Sequence, residues 1–192
     1  MENLKELEVK CLENMPMMLD VISLTVNKLK NILTQNYAEL EQYITGLLGD
    51  KYCLTDEWER GVIYALGGEH DYKEKYLTEL IPYMELCYTI PFAQNVKKNQ
   101  ILFDVQLGYI LDEKQNVIYF QLRDYSSILF VKEIIDLINR DAISNNWKYG
   151  HDENSVWVEF TPNETLSIEK INNCSEAFKK HILEPFFFKI NQ

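Results

Sequence analysis

The hydrophobic period of this chain changes at Ile101, and that change constrains its fold more than any other feature. Ile101, Phe103, Val105, Leu107 and Tyr109 are apolar, with Asp104 and Gln106 between them. A strand points alternate side chains to opposite faces, so the pattern predicts a half-buried strand. The run 117–122 repeats it with Ile118, Phe120 and Leu122. A four-residue loop, Asp112–Gln115, sets Leu107 opposite Phe120 and Val105 opposite Leu122. The same register sets Asp104 opposite Arg123, Gln106 opposite Gln121, and Gly108 across from Tyr119. A loop one residue longer would mix apolar and polar side chains on both faces, so this register is preferred.

A helix is expected next, from about Ser127 to Ala142, capped by Ser126 or Ser127. A second hairpin follows, with Trp147 and Tyr149 facing Val158 and Val156 across the loop His151–Asn154, and Lys148 opposite Trp157. A last helix runs from about Leu166 to Leu183 and ends before Pro185. Asn116–Leu122 aligns with Asn154–Phe160 at an offset of 38 residues. The shared ββα patterning explains this as well as duplication does.

The first half reads as helical. Residues 2–14 form one run, interrupted at Pro16; 17–33 and 36–48 form two more, closed by Gly49-Asp50. Thr55 is a plausible N-cap for a helix holding Trp58, Val62, Ile63 and Leu66, which meets Gly67-Gly68. Residues 72–88 read as helix with a break near Pro82, a short strand is possible at Leu86–Phe92, and Asn95–Asn99 reads as a loop. The fold class is therefore α+β: a helical N-terminal half followed by ββαββα, with an antiparallel sheet packed on helices. Residues 1–50 are expected to be a helical extension and 51–192 an α+β domain.

Composition narrows the functional classes. A chain of 192 residues with 46% hydrophobic content can bury a core without a metal or disulfide staple. The four cysteines Cys11, Cys53, Cys87 and Cys174 lie far apart and read as small apolar residues of a reducing compartment. The charged start Met1-Glu2-Asn3-Leu4-Lys5-Glu6 is unlike a signal peptide, and no uncharged apolar run approaches the roughly 20 residues of a membrane span. A cytoplasmic location is expected. The net charge of −11 argues against nucleic acid and anionic membranes as partners. An acidic surface attracts a basic protein or simply keeps the molecule in solution.

No catalytic site is legible, and neither a cofactor nor a metal is expected. His70-Asp71 and His151-Asp152 sit in expected turns, where local bends explain them better than metal binding. Asp104 with Gln121-Leu122-Arg123 resembles in part the acidic motif of restriction-type nucleases. The second carboxylate is missing, so an Asp104–Arg123 cross-strand pair is preferred. Ser126-Ser127 reads as a cap, not a nucleophile. Two features point instead to partner binding. Helix 127–142 carries two apolar stripes: Ile128, Val131, Ile135, Ile138 and Ala142, then Phe130, Ile134 and Leu137. One stripe can face the sheet; the other needs the N-terminal helices or a partner subunit over it. Tyr119 and Trp157 fall on the polar faces of their strands, as a binding surface, beneath an N-terminal lid, or with Trp157 against Lys148 in a cation–π contact. The run Phe186-Phe187-Phe188 is expected to pack onto the core.

The stretch from Phe130, through Leu137-Ile138-Asn139-Arg140, Trp147-Lys148-Tyr149, His151-Asp152-Glu153-Asn154 and Val156-Trp157-Val158-Glu159-Phe160, resembles the YbjN domains of the type III secretion chaperone-like superfamily. The hairpin Leu107-Gly108-Tyr109 to Val117-Ile118 fits the same layout, and the long helical start departs from it. The resemblance implies a non-enzymatic binding protein, often dimeric through the helix between the hairpins, here Phe130–Asn139, with no cofactor. The expected function is a protein-binding module, chaperone-like or a regulatory adaptor. The alternative is an acidic inhibitor, an immunity or anti-defence protein that blocks a basic toxin or nuclease. Tyr119, Trp157, Phe130, Ile134 and Leu137 are the candidate partner-binding residues. An enzyme with a non-local site is the third hypothesis.

Overall fold

A computed structural model describes residues 2–55, 62–66, 84–95, 101–111, 116–125, 148–161 and 167–192. Helix 127–142 with Phe130, Ile134 and Leu137, the capping serines, Trp147, the loop Asp112–Gln115 and His70-Asp71 lie outside the described residues. By internal contacts the chain divides into Met1–Ile32 and Leu33–Gln192.

One helix, α1, spans Glu2–Leu47 and takes in all three N-terminal runs. The expected interruption at Pro16 is corrected, because Pro16 lies inside the helix. Proline there removes one backbone bond and crowds the preceding turn, at about 3 kcal/mol. The helix-favouring Glu13, Met15, Met17 and Met18 on either side carry the helix through.

Among the described residues seven strands follow: β1 (Tyr52–Leu54), β2 (Val62–Leu66), β3 (Met84–Gln94), β4 (Ile101–Leu111), β5 (Asn116–Asp124), β6 (Lys148–His151) and β7 (Ser155–Phe160). They form one antiparallel sheet in the order β1-β3-β4-β5-β7-β6, with β2 also on β3. The helical expectation for Val62–Leu66 is corrected. This β-branched and aromatic run pairs with β3 from Val62↔Tyr88 to Leu66↔Met84. Likewise 84–88 is strand, the first part of an eleven-residue β3 that crosses Pro91 and shifts register at Phe92/Ala93. The chain thus becomes sheet well before its midpoint.

The β4–β5 register is the one expected, with Val105↔Leu122, Leu107↔Phe120, Asp104↔Arg123 and Gly108↔Tyr119. The β6–β7 register is not. Tyr149 pairs with Val158 and Gly150 with Trp157, two residues away from the expected pairing, so Lys148 meets Glu159 rather than Trp157. A slip of two leaves each side chain on its face, which is why the hydrophobic pattern could not detect it.

The final helical stretch is α2 (Ile168–Phe178), a π-turn (Lys179–Leu183) and α3 (Glu184–Ile190). Ser167 caps α2 by accepting from the Lys170 N–H. The expected stop before Pro185 is corrected. Pro185 lies in the first turn of α3, directly after the π-turn, and the helical backbone runs on through it. The π-turn inserts a residue into the helical count and precedes the aromatic run. Phe186 and Phe187 are buried, and Phe188 remains 71% exposed. Two of the three phenylalanines therefore pack as expected.

The core lies on one face of the sheet. Phe92, Phe103, Val105, Leu107, Phe120 and Val158 are buried there with Ile171, Phe178, Ile182, Phe186 and Phe187 of the C-terminal helices. Ring contacts tie the layers: Phe120 to Phe178 at 5.9 Å, Phe103 to Phe186 at 4.8 Å and Phe92 to Phe187 at 5.5 Å. Leu33, Leu40 and Ile44 of α1 are also fully buried, and Tyr37 stacks on Tyr88 at 5.5 Å. The C-terminal end of α1 is held by α3. Asn191 Nδ2 donates to the Leu47 carbonyl (3.0 Å) and the Tyr43 hydroxyl donates to Glu184 (2.7 Å). The Asn191 contact caps a helix whose last turn carries no basic residue.

Candidate functional site: the second face of the sheet

The core uses one face of each strand, so the other face collects the polar residues. Glu85, Cys87 and Thr89 of β3 lie beside Asp104, Gln106 and Gly108 of β4, then Tyr119, Gln121 and Arg123 of β5, then Trp157 and Glu159 of β7. Two clusters form on it.

The first is an ion pair. Arg123 donates from Nε to Asp104 Oδ1 at 2.9 Å and from Nη2 to Oδ2 at 2.6 Å, and the Tyr125 hydroxyl donates to Oδ2 at 2.9 Å. Asp104 is only 1% exposed. This planar two-pronged match is the strong form of a charged hydrogen bond. The arginine's hydrogen bond and charge pairing with Asp104 outweigh its burial and stabilise the guanidinium further. Burial, followed by the nearby Asp104 charge, pushes the Tyr125 hydroxyl up to about 12. Both Asp104 oxygens are occupied, which supports the cross-strand pair over the nuclease-like motif. Among the described residues no group of three or more His, Cys, Asp or Glu side chains could hold a metal.

The second cluster is a shallow depression of about 300 Å³, lined by Ile110, Val117, Tyr119 and Trp157 together with Glu85, Gln106, Gln121, Asp152 and Glu159. Both aromatics lie over a glycine of the adjacent strand. A methyl group on Gly108 would fall 2.7 Å from the Tyr119 hydroxyl and against the Leu86 carbonyl; one on Gly150 would run into the Trp157 ring. Tyr119 is consequently buried, not open to solvent, whereas Trp157 is half-buried. The Trp157 indole N–H donates to Glu159 at 3.0 Å. Burial raises the Tyr119 hydroxyl and the neighbouring Cys87 thiol. Asp152 closes the β6–β7 turn by accepting from the Asn154 N–H at 2.8 Å.

Of the residues proposed from sequence, Tyr119 and Trp157 come together in this depression; Phe130, Ile134 and Leu137 lie outside the described residues. The sequence reading missed the acidic lining and the role of Tyr125. It also missed Gly150 as the seat of Trp157, although the Gly108–Tyr119 pair one hairpin earlier showed the same rule. No family model, curated protein or solved structure matches this chain. A second depression, of about 480 Å³, lies among Leu47, Lys180, Glu184, Pro185, Phe187, Phe188 and Asn191. Among the described residues, no helix is long and apolar enough to cross a membrane.

Proposed function

We propose that the chain is a non-enzymatic protein-binding module, chaperone-like or a regulatory adaptor, which receives a basic segment of its partner on the second face of the sheet. The observation that carries this reading is the lining of the depression. Among its described residues three are acidic and none is basic, and an indole flanks the carboxylates. A lysine or arginine side chain would find carboxylates for its charge and an aromatic surface for its stem. The net charge of −11 would steer a basic partner toward the molecule. The ββ patterning shared with YbjN domains is consistent with a binding role.

The acidic lining also favours a second reading, an immunity or anti-defence protein that covers a basic site on a toxin or nuclease. Salt separates the two. An inhibitor binds one folded target tightly and weakens steeply with ionic strength, whereas an adaptor accepts short basic segments. A peptide library varied in lysine, arginine and flanking apolar residues, screened against the wild-type chain and Trp157→Ala, tests the proposal. Basic peptides are expected to be enriched and to lose about tenfold in affinity with the variant, roughly 1.4 kcal/mol. Equal recovery of acidic and basic peptides would remove the reading.

A further inference from the structure

The carboxylates of the depression stand at two poles. The strand registers set Glu85 beside Ile110 and Ile110 beside Val117; in the neighbouring row, Gly108 lies beside Tyr119 and Tyr119 beside Glu159. Glu85 on β3 is therefore three strand spacings from Glu159 on β7, roughly 14 Å at about 4.8 Å each. Asp152 belongs to the same hairpin as Glu159 and lines the depression with it. Between the poles the lining is apolar, with Ile110, Val117 and Tyr119. Surface charges lose sight of one another beyond about 8 Å in physiological salt, so one cation cannot serve both poles. Lys148 lies opposite Glu159 on the outer strand β6 and is exposed. Its charge disfavours a second cation on that side, so the site extends inward, toward β3.

We propose that the segment received here is extended and crosses the strands, with two basic residues four apart and an apolar residue midway. This specifies the partner of the binding role proposed above and rests on that role. In an extended chain, residues i, i+2 and i+4 share one face, and i to i+4 spans roughly 13 Å. That span matches the separation of the poles. One base meets Glu85. The other meets Glu159 and Asp152, with its stem along the Trp157 ring, and the apolar side chain between them lies on Ile110 and Val117. A helical segment would need its bases about nine residues apart for the same span, at 1.5 Å per residue. Spacing therefore distinguishes the two.

Fluorescence anisotropy of short labelled peptides, titrated with the full chain, tests the spacing. Three peptides share one composition with two lysines and one leucine: lysines four apart with leucine midway, lysines adjacent, and lysines nine apart. The first is expected to bind at least about tenfold more tightly than either of the others. Glu85→Gln and Glu159→Gln keep side-chain size and the capacity to accept hydrogen bonds. Each is expected to abolish that preference, leaving the first peptide no tighter than the adjacent-lysine one. A wild-type chain that binds all three alike, or prefers the nine-residue spacing, overturns the proposal and leaves the binding role standing. So does a Glu85→Gln chain that keeps the full preference. Failure of the wild-type chain to bind any of the three removes the binding role itself, and the spacing with it.

Discussion

At the scale of single residues, the second face of the sheet concentrates its electrostatics in few groups. Removing the Asp104 carboxylate leaves the Arg123 guanidinium half-embedded without its partner. Asp104→Ala is expected to cost roughly 2–3 kcal/mol, below the usual figure for a broken buried pair because the Arg123 side chain keeps 31% of its surface. Urea unfolding measures it directly. The buried thiols make a kinetic prediction. Burial raises both Cys87 and Cys174, so neither presents a thiolate at neutral pH. An aromatic disulfide reagent should react with the half-buried Cys53 well before either of them, and with all of them only after denaturation. Asp152 carries a pH signature. Burial favours its neutral form, but hydrogen bonds from the backbone of 154 and 155, with His151 nearby, prevail and lower it. A lowered carboxyl contributes stability that is present at neutral pH and lost as pH falls through its folded value. Melting temperatures from neutral pH down to about pH 3 should therefore fall less steeply for Asp152→Asn than for the wild type.

At the scale of elements, what could be read from sequence was what local chemistry decides. The β4–β5 register was legible to the residue, because the polar run Asp112–Gln115 suggests a four-residue loop and alternation then excludes a slip of one. The β6–β7 register was not, since a two-residue slip preserves alternation; only the match of Gly150 to Trp157 distinguishes the two pairings. Val62–Leu66 looked helical because the strand that recruits it, β3, lies some twenty residues further on. Nothing in Lys179–Leu183 announces the π-turn. For the candidate site, Tyr119 and Trp157 stood out as aromatics on polar faces, whereas the acidic lining required the neighbouring strands to be in place. The glycine seats can be tested. Gly108→Ala is expected to destabilise by roughly 1–3 kcal/mol, because its methyl meets backbone as well as ring. Gly46→Ala, with nothing within 4 Å, should stabilise α1 by roughly 0.5–1 kcal/mol, both read from thermal melts.

At the scale of the whole molecule, self-repulsion follows from thirty acidic against nineteen basic side chains. Raising ionic strength from near zero to about 0.15 M should lift the melting temperature, as screening shortens the reach of surface charge to about 8 Å. A denaturation midpoint that drops over the same range would show that attractive ion pairs dominate. The placement of the aromatic layer has a temporal corollary. Phe178, Phe186 and Phe187 follow the described strands in the chain, so on the ribosome those strands are translated before their covering rings. Until the codons for those rings are read, the nascent sheet holds a greasy surface bare, and that interval is when chaperones or aggregation would compete for it.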